Sequence, residues 1–239
     1  MLEDLLVYTH LSSMNQFLEL SKFLKVDISI EVGAYDGDFS KSASALNLRS
    51  FAFEASPHVF NRFKDQMTNI KYENLAVTDH CGFITFVLNS SKDPEWAPNN
   101  SIKSRKGISS QHLRIPCTSL DSYFSFLDKQ KVALWIDCEG ANQEVLSGAT
   151  KLLQKNVCSI YIEVEKRQIW SNSWVEADVN DYLLELGFKK FRKFREGNGQ
   201  ANIIYVKNEI FGIKSWMRVL FRLAFVRLRR RIKKSHSGL

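Results

Sequence analysis

Short apolar runs alternate with helical patterns from Asp27 to about Phe188. Ile28–Val32, Ser50–Glu54, Ile70–Val77, Val132–Ile136 and Val157–Val164 have the length and composition of buried strands. Gly82–Leu88 reads as an added strand or hairpin arm. Between the runs, apolar residues recur at helical spacing near Phe39–Leu46, from Pro57 to about Met67, over Ser119–Leu127 with Ser119 as N-cap, over Glu144–Leu153, and over Val175–Leu186. Gly187 stops the last of these. Phe188–Phe194 and Asn202–Val206 alternate as an antiparallel pair turning at Glu196–Gln200. Alternating β and α units predict a mostly parallel sheet covered on both faces, made mixed by the final hairpin. Leu5, Leu6, Leu11, Phe17, Leu20 and Leu24 predict one or two helices covering that body. Ser90–Lys106, polar and carrying Pro94 and Pro98, reads as a long loop of the kind that often binds ligands.

The chain has 239 residues and a net charge of +7, unevenly spread. Ten of the 33 basic residues but one of the 26 acids lie from Lys207 onward, which puts +9 there and −2 on the rest. The predicted division is a helical cover (1–26), an α/β domain (27–206) and a basic amphipathic tail (207–239). Ile213, Trp216, Met217, Leu220 and Leu223 gather on one face of a helical projection, with Lys214, Arg218 and Arg222 opposite. Such a helix suits an anionic membrane surface, with residues 210–234 in contact. Packing on the body or on a second copy, as a homodimer, is the competing reading. Nucleic acid is disfavoured because the body offers no larger basic surface. The start of the chain matches neither a signal peptide nor a membrane span. Four cysteines without a C-x-x-C pair read as reduced thiols of a cytoplasmic protein, peripheral at most to the inner face of a membrane. Five histidines without ligand spacing lead to no expected metal.

Acids close the strands: Glu31, Glu54, Asp137 and Glu163, with Asp79 just after the third. In a parallel sheet these ends share one rim, where ligands bind. Gly33 and Gly37, flanking Ala34, Tyr35 and Asp36, form a G-x-x-x-G turn in place of the dinucleotide fingerprint G-x-G-x-x-G. Glu31 repels a pyrophosphate and suits a cationic ligand. Glu54, 23 residues later, stands where an acid accepts ribose hydroxyls. Acid, turn and ribose carboxylate together describe a site for S-adenosylmethionine. Each acid taken singly is as well read as a solvated loop residue or a helix cap.

Four segments, Glu31–Gly37, Phe51–Pro57, Leu75–Asp79 and Ile136–Ala149, resemble in order the motifs of the FkbM-type methyltransferases. Asp27 to Val206 is covered, and I-D-x-E-G-A-x-x-E-V-L-x-G-A is the most specific block. Tyr35, Cys138, Asn142 and Ala55-Ser56-Pro57 depart from the usual pattern. The resemblance implies a Rossmann-like class I methyltransferase fold with a mixed seven-stranded sheet. It implies an S-adenosylmethionine-dependent O-methyltransferase acting on a hydroxyl of a sugar, glycan or glycolipid; N- or protein methylation and a non-catalytic scaffold are the alternatives. Glu31, Gly33, Ala34, Tyr35, Gly37, Glu54, Ala55, Ser56, Asp79 and Asp137 are the expected cofactor contacts. Asp137 and Glu139 are the candidate catalytic pair, an acceptor hydroxyl needing a base or strong acceptor. Asp137 is also read as a contact of the cofactor's amino-acid end, and Glu139 as a helix cap. Ser101, His112, Glu163 and Trp170 are the candidate acceptor contacts, with Trp170 and Trp174 read either as stacking on a sugar or as packing. Glu163 and Glu165 are taken to alternate, so that one of them, Glu163, faces the site.

Overall fold

Every residue of Ile28–Val32 and of Val132–Ile136 is buried, which only a central strand covered on both faces allows. The computed structural model describes residues 2–88, 100–105 and 111–210. The helices are α1 (Leu2–Leu24), α2 (Asp38–Ser44), α3 (Pro57–Phe63), α4 (Leu120–Tyr123), α5 (Asn142–Ser147), α6 (Thr150–Lys155) and α7 (Glu176–Glu185). The strands are β1 (Ile28–Val32), β2 (Arg49–Phe53), β3 (Ile70–Glu73), β4 (Ala76–Val77), β5 (Gly82–Leu88), β6 (Gln111–Thr118), β7 (Val132–Ile136), β8 (Val157–Glu165), β9 (Phe188–Arg195) and β10 (Gln200–Lys207).

Seven strands form the main sheet in the order β3-β2-β1-β7-β8-β10-β9. β3, β2, β1, β7 and β8 are parallel, and β10 runs against both β8 and β9. The mixed seven-stranded sheet implied by the sequence is therefore present. From β1 the chain winds outward to β2 and β3, then returns to β7 on the other side. That reversal opens a crevice at the carboxyl ends of β1 and β7.

The two faces separate by strand period. Ile28, Ile30, Val32, Phe51, Phe53, Leu134 and Ile160 pack with Leu120, Val145, Leu152 and Leu183 from α4 to α7. Ala133, Trp135, Tyr161 and Ile204 face the other way, against Phe17, Leu20 and Leu24 of α1 and Phe39 of α2. Trp135 stacks on Tyr161 at 3.6 Å and on Phe39 at 4.8 Å, and Ser13 hydrogen-bonds the Tyr161 hydroxyl at 2.8 Å. Each fully buried apolar side chain of α1 contributes about 1.5–3 kcal/mol. One long helix supplies this cover.

Several elements differ from expectation. The third strand breaks at Asn74, whose amide donates to the Glu54 carbonyl at 2.9 Å. Beyond it, β4 joins β5 and β6 in a separate three-stranded sheet of order β4-β6-β5. β6 was not anticipated, although its alternation, with Ile115 and Cys117 in and Arg114 and Pro116 out, is a strand pattern. The helix expected over Ser119–Leu127 is the single turn α4, with Ser119 accepting from Ser122 N–H at 3.2 Å as its cap. The helix over Glu144–Leu153 is divided at Gly148, where a Cβ would lie 2.0 Å from the Thr78 carbonyl oxygen. All four cysteines are free thiols, Cys81 exposed, Cys138 half-buried, Cys117 and Cys158 buried. No helix among the described residues is long and apolar enough to cross a membrane. The basic tail and most of the Ser90–Lys106 loop lie outside the described residues.

Candidate active site

The turn after β1 is built by close approach. Gly33 and Ala34 donate their N–H groups to the Phe53 carbonyl, both at 3.0 Å, which ties the turn to β2. Asp137 N–H donates to the Val32 carbonyl at 2.9 Å, which ties it to β7. Gly33 sits at φ +77, and a Cβ there would lie 1.8 Å from the Asp137 carbonyl oxygen. The glycine is therefore required by both backbone conformation and space. Tyr35 follows at φ 47, its ring 5.5 Å from Phe63 and its carbonyl accepting from the Tyr72 hydroxyl at 2.7 Å. Gly37, at φ +73, leaves room for the Met67 side chain.

Two buried carboxylates hold this loop from different sides. Glu54 accepts Tyr35 N–H at 2.8 Å on one oxygen and Ser56 N–H at 2.7 Å on the other. Burial pushes its carboxyl up to about 7 against these hydrogen bonds. Ser56 then caps α3 through Val59 N–H at 3.3 Å. Glu31 accepts Ser40 N–H at 2.9 Å, and burial raises its carboxyl to about 8. It does not line the cleft; it holds the start of α2 from behind.

Gly33, Tyr35, Glu54, Ala55, Ser56, Ser101, Asp137 and Glu139 line one cleft of about 850 Å³, open mouth included. Its other wall is apolar: Phe53, Val77, Phe86 and Ile102. Sequence reasoning passed over Phe86, although it occupies an inward position in the alternation of Gly82–Leu88. Ser101 pairs with Val87 and donates its hydroxyl to the Glu139 carbonyl at 2.6 Å. Glu139 takes a left-handed φ of 49. Burial, then the charges of Asp137 and Glu165, push its carboxyl up to about 8, and Arg105 opposes them.

Other predicted site residues stand elsewhere. Ala34 and Gly37 shape the turn without lining the cleft. Asp79 is exposed and bonds to His80 at 2.8 Å, because β4 has carried the chain into the second sheet. His112 lies within β6, exposed opposite Val87 and away from the cleft lining. Trp170 is only 1% exposed; its ring fills the space a Gly140 Cβ would take, and its indole N–H donates to Glu165 at 3.0 Å. It is packing behind the site. Trp174 packs on Tyr182 at 5.2 Å. Glu163 stands beside the cleft, with one oxygen each of Asp137, Glu139 and Glu163 within 4.8 Å of one another. The expectation that only Glu163 or Glu165 faces this end is corrected, since residues two apart on a strand share a face.

The chain matches the model of the methyltransferase FkbM domain over residues 31–190. No curated protein matches it significantly. Among solved structures it is similar to magnesium protoporphyrin IX methyltransferase (ChlM) of Synechocystis PCC 6803 with bound SAH, at 9% identity over 84% of each chain and a TM-score of 0.48. WbdD matches at 10% identity, 84% of this chain and 40% of that one, TM-score 0.49. An rRNA methylase of Streptococcus thermophilus matches at 12% identity, 82% and 93% coverage, TM-score 0.45. The domain match spans most of the sheet and all the strand ends that form the cleft. The chain belongs to the FkbM methyltransferase family, whose cofactor is S-adenosylmethionine.

Proposed function

We propose that this protein methylates a hydroxyl oxygen of a small acceptor of the sugar or glycan class. The observation that carries the reading is the pair Asp137 and Glu139 lining the same cleft as Glu54 and Gly33. The residues present fit the cofactor. An acidic cleft without a phosphate-binding glycine loop suits a cationic ligand, and the Glu54 oxygens keep lone pairs for ribose hydroxyls. When bound, S-adenosylmethionine supplies an electrophilic methyl carbon.

The chain's own part is alignment and proton handling. The turn at Gly33–Tyr35 and the wall of Phe53, Val77 and Phe86 fix one partner; Ser101, Asp137 and Glu139 meet the other. Orienting two reactants against each other in such a cleft supplies much of the rate enhancement. A carboxyl raised to about 8 holds a hydroxyl proton far better than an ordinary carboxylate, which favours Glu139 as the base. Asp137, adjacent and acidic, keeps that basicity high. The same reading keeps the protein in the cytoplasm, with the basic tail against an anionic membrane; co-sedimentation with anionic vesicles, with and without residues 210–239, tests the tail.

The activity is tested by transfer of labelled methyl from S-adenosylmethionine to a panel of sugars, nucleotide sugars and lipid-linked glycans. Oxygen methylation that falls at least a hundredfold in Glu139→Gln is the expected result. Labelling confined to amines or to protein would overturn the hydroxyl reading.

A further inference from the structure

β7 and β8 are parallel neighbours, with Ile136 in register with Ile162. Asp137 and Glu163 are therefore side by side at the ligand end of the sheet. Glu139 completes the group, one oxygen of each lying within 4.8 Å of the other two. Asn202 is the register partner of Glu163 across β8 and β10, so its side chain leaves the sheet on the same side. Glu165, two residues on from Glu163, does the same.

Two buried oxygens on this side have no hydrogen-bond partner among the described residues. Asn202, 1% exposed, donates its amide to Glu196 and leaves Oδ1 without a donor. Glu165, 3% exposed, accepts from Trp170 on Oε1 and leaves Oε2 bare. Its negative charge is felt at both Glu139 and Glu163. Positive charge is scarce here: Lys103 is held by Glu144, and Arg105 acts on Glu139. Gln200 donates to Glu163 at 2.9 Å.

All these atoms are oxygen, the ligand set of hard divalent cations. Two ligands of one ion lie at most two bond lengths apart, about 4.2 Å for Mg²⁺ and about 5.2 Å for Ca²⁺, so oxygens within 4.8 Å of one another suit a hard divalent cation. We infer that Asp137, Glu139 and Glu163, with Asn202 on the same side of the sheet, hold one hard divalent cation at the wall of the cleft. Three or four protein oxygens leave two or three of an octahedral ion's positions open. Asp137 and Glu139 line the cleft, so those positions face it, and a pair of neighbouring hydroxyls on the acceptor fits them. The purpose given to the ion rests on the hydroxyl-methylation reading: with the ion bound, Glu139 is its ligand, and lowering the proton affinity of the acceptor hydroxyl falls to the ion instead of to that carboxylate; the site itself does not rest on that reading.

Mn²⁺ titration of the full chain, followed by electron paramagnetic resonance with S-adenosylhomocysteine present, tests the site. One Mn²⁺ per chain is expected, with a dissociation constant below about 1 mM, displaceable by Mg²⁺. Glu163→Gln is expected to weaken it at least tenfold. Calorimetric binding of S-adenosylhomocysteine verifies that the variant is folded, because Glu163 does not line the cleft. If Glu163→Gln does not fold, Glu163→Asp, which withdraws the carboxylate by one carbon, is read the same way. Protein that binds S-adenosylhomocysteine but no Mn²⁺ at that concentration overturns the site, as does a folded variant with wild-type Mn²⁺ affinity. Methyl transfer that persists in EDTA, with no Mn²⁺ uptake, sinks the site and leaves the hydroxyl reading standing. Mn²⁺ uptake without transfer to any hydroxyl does the reverse.

Discussion

Replacing Gly33 by alanine should cost far more than replacing Gly187, although both take left-handed backbone. φ is +77 at Gly33 and +81 at Gly187, so an alanine's conformational penalty, about 1–2 kcal/mol, is common to both. The surroundings differ. A Cβ at Gly187 meets nothing within 4 Å, whereas at Gly33 it lies 1.8 Å from the Asp137 carbonyl oxygen and 2.7 Å from its carbon. Side-chain carbons essentially never approach a neighbour within 3.0 Å, so the ends of β1 and β7 must part by more than an ångström. The obstacle is backbone and has no rotamer to swing away. The hydrogen bond from Asp137 N–H to the Val32 carbonyl, 2.9 Å long, spans that seam and would stretch beyond bonding range. Leaving two buried backbone groups unsatisfied adds about 1–3 kcal/mol. The expected destabilisation is therefore roughly 2–5 kcal/mol for Gly33→Ala against about 1–2 kcal/mol for Gly187→Ala. Urea unfolding followed by tryptophan fluorescence measures both. Calorimetry with S-adenosylhomocysteine gives a second readout, lost or weakened in the first variant and kept in the second. Unfolding free energies within about 0.5 kcal/mol of each other would refute the close-approach argument.

Other outcomes follow from the buried acids. Glu31 has a folded-state carboxyl near 8 against an ordinary 4.5, so its protonated form stabilises the fold fully below 4.5 and that stability is lost as pH rises towards 8. Stability of the ligand-free protein should fall between about pH 4.5 and 8, by up to a few kcal/mol for this group, and Glu31→Gln should flatten that slope; an unchanged profile in the variant counts against the assignment. Glu54→Gln should weaken S-adenosylhomocysteine roughly tenfold to a hundredfold, about 1.5–3 kcal/mol, since one of two accepted N–H groups then faces an amide donor. Wild-type affinity should decline as pH drops through about 7, with no such decline in the variant; parallel curves would exclude Glu54 as the titrating contact. Trp170→Phe removes the donor to a buried carboxylate and should cost about 2–3 kcal/mol in thermal or urea unfolding, whereas a stacking residue on the acceptor would change KM and leave stability alone.

Legibility in the sequence followed the range of the forces involved. Glu54 and Asp137 were readable because a parallel sheet brings successive strand ends to one rim, and an acid after an apolar run marks such an end. Gly33 was readable because a turn that tight admits little else, but its collision partner, the Asp137 carbonyl, lies a hundred residues away and leaves no local trace. Glu31 was located correctly on β1, yet its charge was assigned to the ligand; the partner that it has is Ser40, whose position depends on how α2 docks. Asp79 was misplaced because Ile70–Val77 looks continuous, while the break at Asn74 depends on a hydrogen bond to β2. The grouping of Asp137, Glu139 and Glu163 depends on strand register, which alternation alone does not specify across a parallel pair.

β9, with five lysines and arginines in eight residues, closes one side of the main sheet. A border strand offers unpaired N–H and C=O groups to any strand of a second molecule. Two copies aligned along β9 would set like charges about 5 Å apart at successive positions, Lys189 and Lys190 among them, both exposed. The repulsion bars that route to fibrous assembly, while the opposite border, β3, is only four residues long. Neutralising Lys189, Arg192 and Arg195 together should therefore raise thioflavin T binding and sedimentation on mild heating above those of the unaltered protein.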